Sequence, residues 1–192
     1  VISLAVSGPN IFAGTWHSGV FLSTNNGSSW TAVNNGLTHS DIYSLSVSGP
    51  NILAGAGSGG VFLSTNNGSN WTAVGFFCDL MGDTVGVISL ATVGQNIFAG
   101  TNGCGMFFSS NNGSSWTAIN NGLINNYTGG PIYVIPSLIT NGTNIFAGTF
   151  SGVYLSQNNG SSWTAVNDGF NTHFDWIGIE SLIISESKII AG

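Results

Sequence analysis

The acidic side chains are the residues of this chain best suited to acid–base chemistry. Hydrolysis of a glycosidic bond needs two carboxyl groups that flank it. Two pairs are candidates from their spacing, Asp79 with Asp83 and Asp175 with Glu180. Most of the acids fall in loop segments, where a solvated turn carboxylate is the more common explanation. We therefore expect no catalytic residues, and we keep a glycoside hydrolase as an alternative.

The spacing of the histidines and the absence of arginine argue against metal, sialic acid and nucleic-acid sites. The histidines lie one to a loop, without the close spacing to each other or to cysteine that a metal site shows: His17, His39 and His173. We expect no metal, and no cofactor, because no phosphate loop appears. The only basic side chain is Lys188. Without arginine the chain cannot clamp a sialic acid carboxylate in bidentate fashion, nor neutralise nucleic-acid phosphates. No apolar run reaches the roughly 18 residues of a membrane span, so we expect no membrane insertion.

Aromatic and polar residues in the loops form the candidate ligand-binding set. Aromatic rings stack on the C–H faces of sugars, while amides and carboxylates bond the hydroxyl groups. The set comprises Trp16, His17, Phe77, Tyr127, Phe150, His173, Asp175 and Trp176. The alternative explanation, which is favoured for Phe76, Phe77, Phe170 and Phe174, is that these rings fill gaps between packed sheets.

An eight-residue motif recurs four times and organises the rest of the chain. Its copies span 23–30, 64–71, 109–116 and 156–163, and their tryptophans are 41, 45 and 47 residues apart. Each copy, here called a clasp, follows an apolar run and precedes Thr-Ala. This period is close to the 40–45 residues of a four-stranded propeller blade. The defining positions are Ser23, Asn25, Gly27, Trp30, Ser64, Asn66, Gly68, Trp71, Ser109, Asn111, Gly113, Trp116, Ser156, Asn158, Gly160 and Trp163.

Each repeat predicts four strands. In the first repeat they are expected near 2–6, 10–14, 20–23 and 30–33. The second and third strands are apolar on both faces, which indicates sheets covered on both sides. We therefore predict an all-β propeller of four-stranded antiparallel blades, with an open β-repeat array or solenoid as runner-up. The repeats span approximately 1–42, 43–86, 87–135, 136–179 and, in part, 180–192.

Local chemistry predicts that the clasp closes the outer hairpin of its own blade. Asn-Gly between apolar runs is a strong hairpin signal. Asn25 and Asn26 tolerate left-handed backbone and can bond nearby N–H groups. Trp30 is expected to open the fourth strand and fold over the hairpin, with its indole N–H directed at a turn carbonyl.

The pattern Ser-x-Asn-x-Gly-x-x-Trp resembles the Asp-box, or BNR repeat, of sialidase-like, sortilin-like and photosystem-assembly propellers. The resemblance covers nearly the whole chain, although asparagine stands where many family members have aspartate. It implies that the clasps are structural and lie on the outer rim. The same motif occurs in enzymes and non-enzymes, so it implies a fold more strongly than a function.

The fifth repeat contains only its first two strands, around 181–184 and 188–191. Three explanations are open. The favoured one is that the chain is a fragment of a longer repeat protein; the others are a ring with one thin blade, and an edge completed by a neighbouring chain. The last would give a head-to-tail fibre.

Cysteines and sequons bear on the compartment. Cys78 and Cys104 are predicted to lie on one face, where a disulfide between them would indicate an oxidising compartment. Glycosylation sequons begin at Asn26, Asn67, Asn70, Asn112, Asn126, Asn141 and Asn159. Only 4% of the residues are charged, against roughly 25% in ordinary soluble domains, and this suits a surface that carries sugar or associates.

These features predict a non-catalytic, extracellular or cell-surface structural or adhesive module that binds glycans through its variable loops. A self-assembling, glycosylated fibre subunit is an alternative, in which the chain binds copies of itself.

Overall fold

The computed structural model describes residues 1–77, 82–125, 128–170, 178–186 and 188–192. All regular elements in these ranges are β-strands. Over this part of the chain, no helix is long and apolar enough to cross a membrane. The strands are β1 Ser3–Ser7, β2 Asn10–Gly14, β3 Val20–Ser23, β4 Thr31–Ala32, β5 Ile42–Ser48, β6 Asn51–Ala56, β7 Gly60–Ser64, β8 Thr72–Gly75, β9 Val87–Val93, β10 Asn96–Thr101, β11 Met106–Ser109, β12 Thr117–Ala118, β13 Ser137–Asn141, β14 Asn144–Thr149, β15 Gly152–Ser156, β16 Thr164–Ala165, β17 Leu182–Ser185 and β18 Lys188–Ala191.

The strands form four antiparallel sheets of four strands and one of two, each paired in chain order. We call β1–β4 blade 1, β5–β8 blade 2, β9–β12 blade 3, β13–β16 blade 4 and β17–β18 the half-blade. The first strand of each sheet contacts the first strand of the next, from β1 through β5, β9 and β13 to β17. This is the predicted architecture of blades whose innermost strands surround an axis.

The core lies between blades, as two-sided apolar strands require. Between blades 1 and 2, Phe12 and Val20 pack with Ile52, Phe62 and Trp71. Equivalent clusters fill the next two interfaces. Burying both faces of the middle strands explains why β6 and β10 are buried along nearly their whole length.

Inner-strand serines tie neighbouring blades together near the axis. The Oγ atom of Ser3 accepts a hydrogen bond from the backbone N–H of Leu45 at 2.9 Å. In the same way, Ser44 Oγ accepts from the backbone N–H of Leu90, and Ser137 Oγ accepts from that of Leu182. The bond to Leu182 attaches the half-blade in the same register as a complete blade.

The fourth strand differs from the prediction. Trp30 was expected to begin it, whereas β4 covers only Thr31–Ala32. In blade 2, the backbone N–H of Trp71 donates to the carbonyl of Asn35 in blade 1 at 2.9 Å. In this blade the tryptophan backbone is bonded to the preceding blade before its own strand begins.

Candidate functional site

The clasps have an internal hydrogen-bond network that recurs in all four copies. In blade 2, Ser64 Oγ donates to Asn66 Oδ1 and accepts from the backbone N–H of Gly68, both at 2.9 Å. Asn66 Oδ1 also accepts from the backbone N–H of Asn70 at 2.9 Å. The residue before each clasp glycine has a left-handed backbone, with φ of 54° to 56° at Asn26, Asn67, Asn112 and Asn159. The predicted turn chemistry of the asparagines is thus confirmed.

The tryptophans act between blades, which corrects the prediction of a self-contained clasp. The indole N–H of Trp71 donates to the carbonyl of Val33 at 2.7 Å. Trp116 and Trp163 donate to Val74 and Ile119 at 2.8 Å. Val33 and Ile119 directly follow the fourth strand of the preceding blade, and Val74 lies within it. In blades 2, 3 and 4 the clasp therefore latches its blade to the previous one.

The sequon asparagines differ in accessibility. Those of clasps 1, 2 and 4 are exposed, as are Asn70 and Asn141, whereas Asn112 is half-buried. The side-chain oxygen of Asn112 is buried and accepts no hydrogen bond from the described residues. Asn70 Oδ1 accepts from Asn35 Nδ2, again across a blade interface. Asn126 lies outside the described residues, and glycosylation stays a prediction at every site.

Trp16 and His17 form an exposed aromatic pair in the β2–β3 loop of blade 1. Their rings stack with centroids 5.1 Å apart. His17 has a φ of 67°, and both its backbone N–H and its Nδ1 lie within 2.8 Å of Asp41 Oδ1. The Asp41 carboxylate thus anchors this loop to the connection between blades 1 and 2. A depression of about 300 Å³ adjoins the pair and is lined in part by His39 and Asn34.

Phe77 is a packing residue. Its ring is 4% exposed, stacks on Phe107 with centroids 4.3 Å apart and meets Trp116 edge to face. No ring face is left for a ligand. This matches the alternative explanation of loop aromatics as filling between blades.

Several predicted residues lie outside the described part of the chain. They are Tyr127, His173, Asp175 and Trp176 of the ligand set, Phe174 of the packing set, Cys78 of the disulfide, and Asp79 of the carboxylate pairs. Each nominated carboxylate pair therefore has one described partner, Asp83 or Glu180. Within the described ranges, no group of three or more His, Cys, Asp or Glu side chains is placed to hold a metal ion.

A second candidate ligand site lies around the axis, at the start of the innermost strands. One equivalent position from each blade and from the half-blade lines a cavity of about 440 Å³: Ile2, Tyr43, Ile88, Pro136 and Glu180. Asn102, Val134 and Phe150 complete its wall. We call this cavity the axial mouth. Of the sequence-predicted ligand residues that the structure describes, Phe150 alone belongs to it.

Backbone hydrogen bonds hold the mouth positions in place. At three of the five positions, the preceding residue donates its N–H to a carbonyl at the end of the second strand of the preceding blade: Ile42 to Thr15, Ile135 to Thr101 and Ile179 to Thr149, at 2.9 to 3.0 Å. The side chains of these residues are buried. The backbone beside these mouth residues is thus held in place, and a rigid backbone favours specific ligand recognition over conformational adaptation.

Sequence reasoning missed the axial mouth, although a signal was present. Five of the eight mouth residues directly precede the equivalent serine of an inner strand, at Ser3, Ser44, Ser89, Ser137 and Ser181. The serine repeats, whereas the residue before it is isoleucine in two repeats and tyrosine, proline or glutamate in the others. Unlike residues at one repeated position indicate a surface that is free to specialise.

Comparisons with known proteins support the fold. No protein-family model and no curated protein matches the chain. The extracellular domain of a hybrid two-component system from B. thetaiotaomicron is similar, with a TM-score of 0.74 and 18% identity over 99% of this chain and 25% of that one. YCF48 from Cyanidioschyzon merolae has a TM-score of 0.68 and 17% identity, over 99% of this chain and 62% of that one. An ancestral GH74 enzyme has a TM-score of 0.64 and 21% identity, over 84% of this chain and 23% of that one.

The chain therefore spans about a quarter of the length of two of these structures and less than two thirds of the third. The similarity, with the all-β sheets, shows a β-propeller fold. At this level of identity it says nothing about activity.

Proposed function

We propose that the chain is a non-catalytic, extracellular binding module that recognises carbohydrate at the axial mouth. The observation that carries this proposal is the ring of unlike residues on an otherwise repeated frame. Loops and strand ends on a rigid repeated scaffold are where binding residues are usually found. We also assign the four clasps to the Asp-box type, as structural elements of this module.

The chemistry of the mouth fits a sugar of one or two rings. Tyr43 and Phe150 supply aromatic faces, and Asn102 and Glu180 supply hydrogen-bonding groups. A cavity of about 440 Å³ lies within the range of roughly 300–1,000 Å³ typical of small-molecule sites. An apolar wall with a few fixed polar groups is the usual composition of such sites.

A binding role is favoured over hydrolysis by the carboxylates of the mouth. Hydrolysis needs two carboxyl groups across the bond, and among the described residues Glu180 is the only carboxylate that lines the cavity. The extracellular assignment rests on the scarcity of charge and on the sequons. The similar extracellular domain agrees with it.

A glycan array with purified protein tests the proposal. We expect binding to a defined group of glycans, weakened about tenfold or more by Tyr43→Ala, because a central aromatic contact is a typical binding hot spot. Trp16→Ala is the matched control, since it removes an exposed ring from the same face outside the mouth. Circular dichroism establishes that both variants fold.

Three results would contradict the proposal. Absence of binding to any glycan removes the recognition function. Binding lost with Trp16→Ala and retained with Tyr43→Ala would move the site to the peripheral pair. Release of reducing ends from the bound glycan would show that the module is catalytic.

A further inference from the structure

We propose that Asn141 is a site of spontaneous covalent modification, at which Asn141 and Gly142 form a succinimide that hydrolyses to aspartate or isoaspartate. The clasps, which repeat the same Asn-Gly chemistry, are built in a way that prevents this reaction. The proposal concerns the turn between β13 and β14 and is independent of carbohydrate recognition at the axial mouth.

The reaction uses only the chain and water. Hydroxide removes the proton from the backbone nitrogen of a glycine, and this nitrogen attacks the side-chain carbonyl carbon of the asparagine before it. The new C–N bond closes the succinimide ring while the C–N bond of the side-chain amide breaks, and the NH₂ group leaves with a proton from water as ammonia. Water then opens the ring at either carbonyl, which gives aspartate or isoaspartate. A hydrogen bond that holds the glycine N–H slows the first step, because the nitrogen must lose that proton.

The sequence contains many pairs that could react. Glycine has no β-carbon to hinder the attack, and asparagine precedes glycine at eight places, all within the described residues: Asn26, Asn35, Asn67, Asn102, Asn112, Asn121, Asn141 and Asn159. From sequence alone these pairs have the same chemistry. The structure distinguishes them through the bonds that hold each glycine and each asparagine.

In the clasps, the serine holds the glycine N–H. Ser64 Oγ accepts from the backbone N–H of Gly68 at 2.9 Å. The equivalent bond measures 2.8 to 2.9 Å in the other three clasps, and all four serines are at most 1% exposed. The attacking nitrogen of each clasp pair is therefore occupied by a bond that water does not readily replace.

Three further pairs are held by other contacts. Beside Asn102, the N–H of Gly103 donates to the carbonyl of Tyr133 at 3.0 Å. Asn35 and Asn121 donate their side-chain amides to the neighbouring blade at 3.0 and 3.3 Å. Their carbonyls also accept the tryptophan N–H of that blade at 2.9 Å. Either the nucleophile or the side chain that it must reach is thus restrained in these pairs.

Asn141 and Gly142 lack such restraints. Asn141 pairs with Asn144 across a two-residue turn, and Gly142 is the first residue of that turn. Both members of the pair are exposed. Among the described residues, no hydrogen bond holds the Gly142 N–H or the Asn141 side chain. No described atom, chain neighbours aside, lies within 4 Å of a β-carbon built on Gly142.

The openness belongs to this type of turn and does not depend on the position of blade 4. Gly8, Gly49 and Gly94 occupy the same turn in blades 1 to 3, each of which is followed by a complete blade. They too are exposed, with nothing within 4 Å of a built β-carbon. Their φ values and that of Gly142 lie between 57° and 61°. Serine or valine precedes the glycine in those blades, so only blade 4 places asparagine at the open turn.

The modification would change what this turn can do. Asn141 begins an Asn-Gly-Thr sequon, and its conversion to aspartate or isoaspartate removes the amide that a glycan requires. The product also adds a negative charge to a chain whose formal net charge is −6. Isoaspartate lengthens the main chain within the hairpin turn. Glycosylation and succinimide formation are therefore competing fates of the same side chain.

Peptide mapping by mass spectrometry tests the proposal on protein made in a host that does not glycosylate. The folded protein is incubated at mildly alkaline pH, and isoaspartate is measured at each pair. Asn141 should react at least tenfold faster than any clasp asparagine, because each clasp must first give up a hydrogen bond. The same incubation in urea is the control, and it should bring the clasp asparagines close to the rate of Asn141.

A variant pair tests the protection by serine. Ser64→Ala frees the N–H of Gly68 and should speed the reaction of Asn67 about tenfold, while Asn26 in the first clasp keeps its rate. Thr65→Ala, an exposed neighbour, is the matched control and should leave both rates unchanged. An equal rise at Asn67 and Asn26 would mean that the variant reacts through global unfolding, which overturns protection by the serine.

Asn141→Ser, which installs the residue found at two of the equivalent turns, completes the test. It should abolish the acidic species that ion exchange separates from the aged wild-type protein. Persistence of that species, or a folded protein in which Asn141 reacts no faster than the clasp asparagines, would overturn the proposal. An unchanged rate at Asn67 in Ser64→Ala would overturn it as well.

Discussion

Trp71 and Trp30 occupy the same position of the repeat in two different environments, so their replacement isolates the energy of the latch between blades. Trp71 is 2% exposed and bonds Val33 across the interface. Trp30 is 40% exposed. Among the described residues, chain neighbours aside, only its own ring comes within 4 Å of a β-carbon built on its clasp glycine, Gly27. Replacing each by alanine should therefore give very different losses of stability.

The expected magnitudes follow from burial. Trp71→Ala removes a fully buried ring and should lower the free energy of unfolding by about 3–5 kcal/mol. Trp30→Ala leaves no interior cavity and should cost about 1 kcal/mol. The difference of roughly 2–4 kcal/mol corresponds to about 4–16 °C in melting temperature for a domain of this size. Replacement by phenylalanine isolates the indole hydrogen bond, which should account for about 1 kcal/mol at Trp71.

Urea denaturation of the four variants, followed by circular dichroism, gives these values. The midpoint should move while the slope stays constant, as expected when stability alone changes. Equal losses for Trp71→Ala and Trp30→Ala would refute the reasoning, because the tryptophan would then stabilise its own hairpin, as the sequence alone suggested.

Three further predictions use other positions of the repeat. Gly36→Ala should destabilise by about 3 kcal/mol or more, because its methyl group meets the Trp71 carbonyl, whereas Gly169→Ala should cost about 1 kcal/mol from backbone strain alone; similar midpoints in urea would contradict this. Ser64→Ala should cost about 1–3 kcal/mol, because it leaves the buried N–H of Gly68 without its acceptor, and thermal melts beside Thr65→Ala, an exposed control, check it. Burial raises the pKa of Tyr154 above 10, and its hydroxyl donates to the carbonyl of Ile124. The neutral hydroxyl is therefore favoured in the folded state, so its contribution is complete below pH 10 and is lost as the pH rises through the folded pKa; stability measured from pH 9 to 12 should fall less in Tyr154→Phe, and parallel curves would count against the assignment.

The fold was predictable because the same strand, turn and spacing signals recur in every repeat. Apolar alternation indicated the strands, Asn-Gly indicated the hairpins, and the period indicated the number of strands in a unit. The half-blade was predictable for the same reason, since Leu182 and Ile189 stand where Leu4 and Ile11 stand in blade 1.

The partner of the tryptophan was not predictable from the repeat. In a periodic chain, a carbonyl after the fourth strand occurs once in every unit, so sequence cannot distinguish a contact within a blade from one with the previous blade. In the structure, a close approach between the tryptophan backbone and a glycine identifies the preceding blade as the partner. Gly36 has no side chain, and this allows the Trp71 backbone to approach from the next blade.

The ligand residues predicted from the sequence and the lining of the axial mouth share only Phe150 among the described residues. Large loop aromatics such as Trp16 and Phe77 attract attention in a sequence, yet one is peripheral and the other is buried. Tyr43 and Glu180 were overlooked as ligand residues because each stands alone in its own repeat. They come together only when the innermost strands surround an axis, which is a property of the assembled blades.

The latch and the axial mouth divide the molecule into a part that must repeat and a part that need not. At the rim, the clasp tryptophan of blades 2, 3 and 4 binds the preceding blade, so a change in one copy weakens an interface that the others cannot replace. At the axis, the backbone hydrogen bonds of Ile42, Ile135 and Ile179 fix the frame without constraining the side chain that follows them. Stability between blades therefore depends on identity between repeats, whereas the recognition that we propose at the mouth would depend on the residues that differ between them.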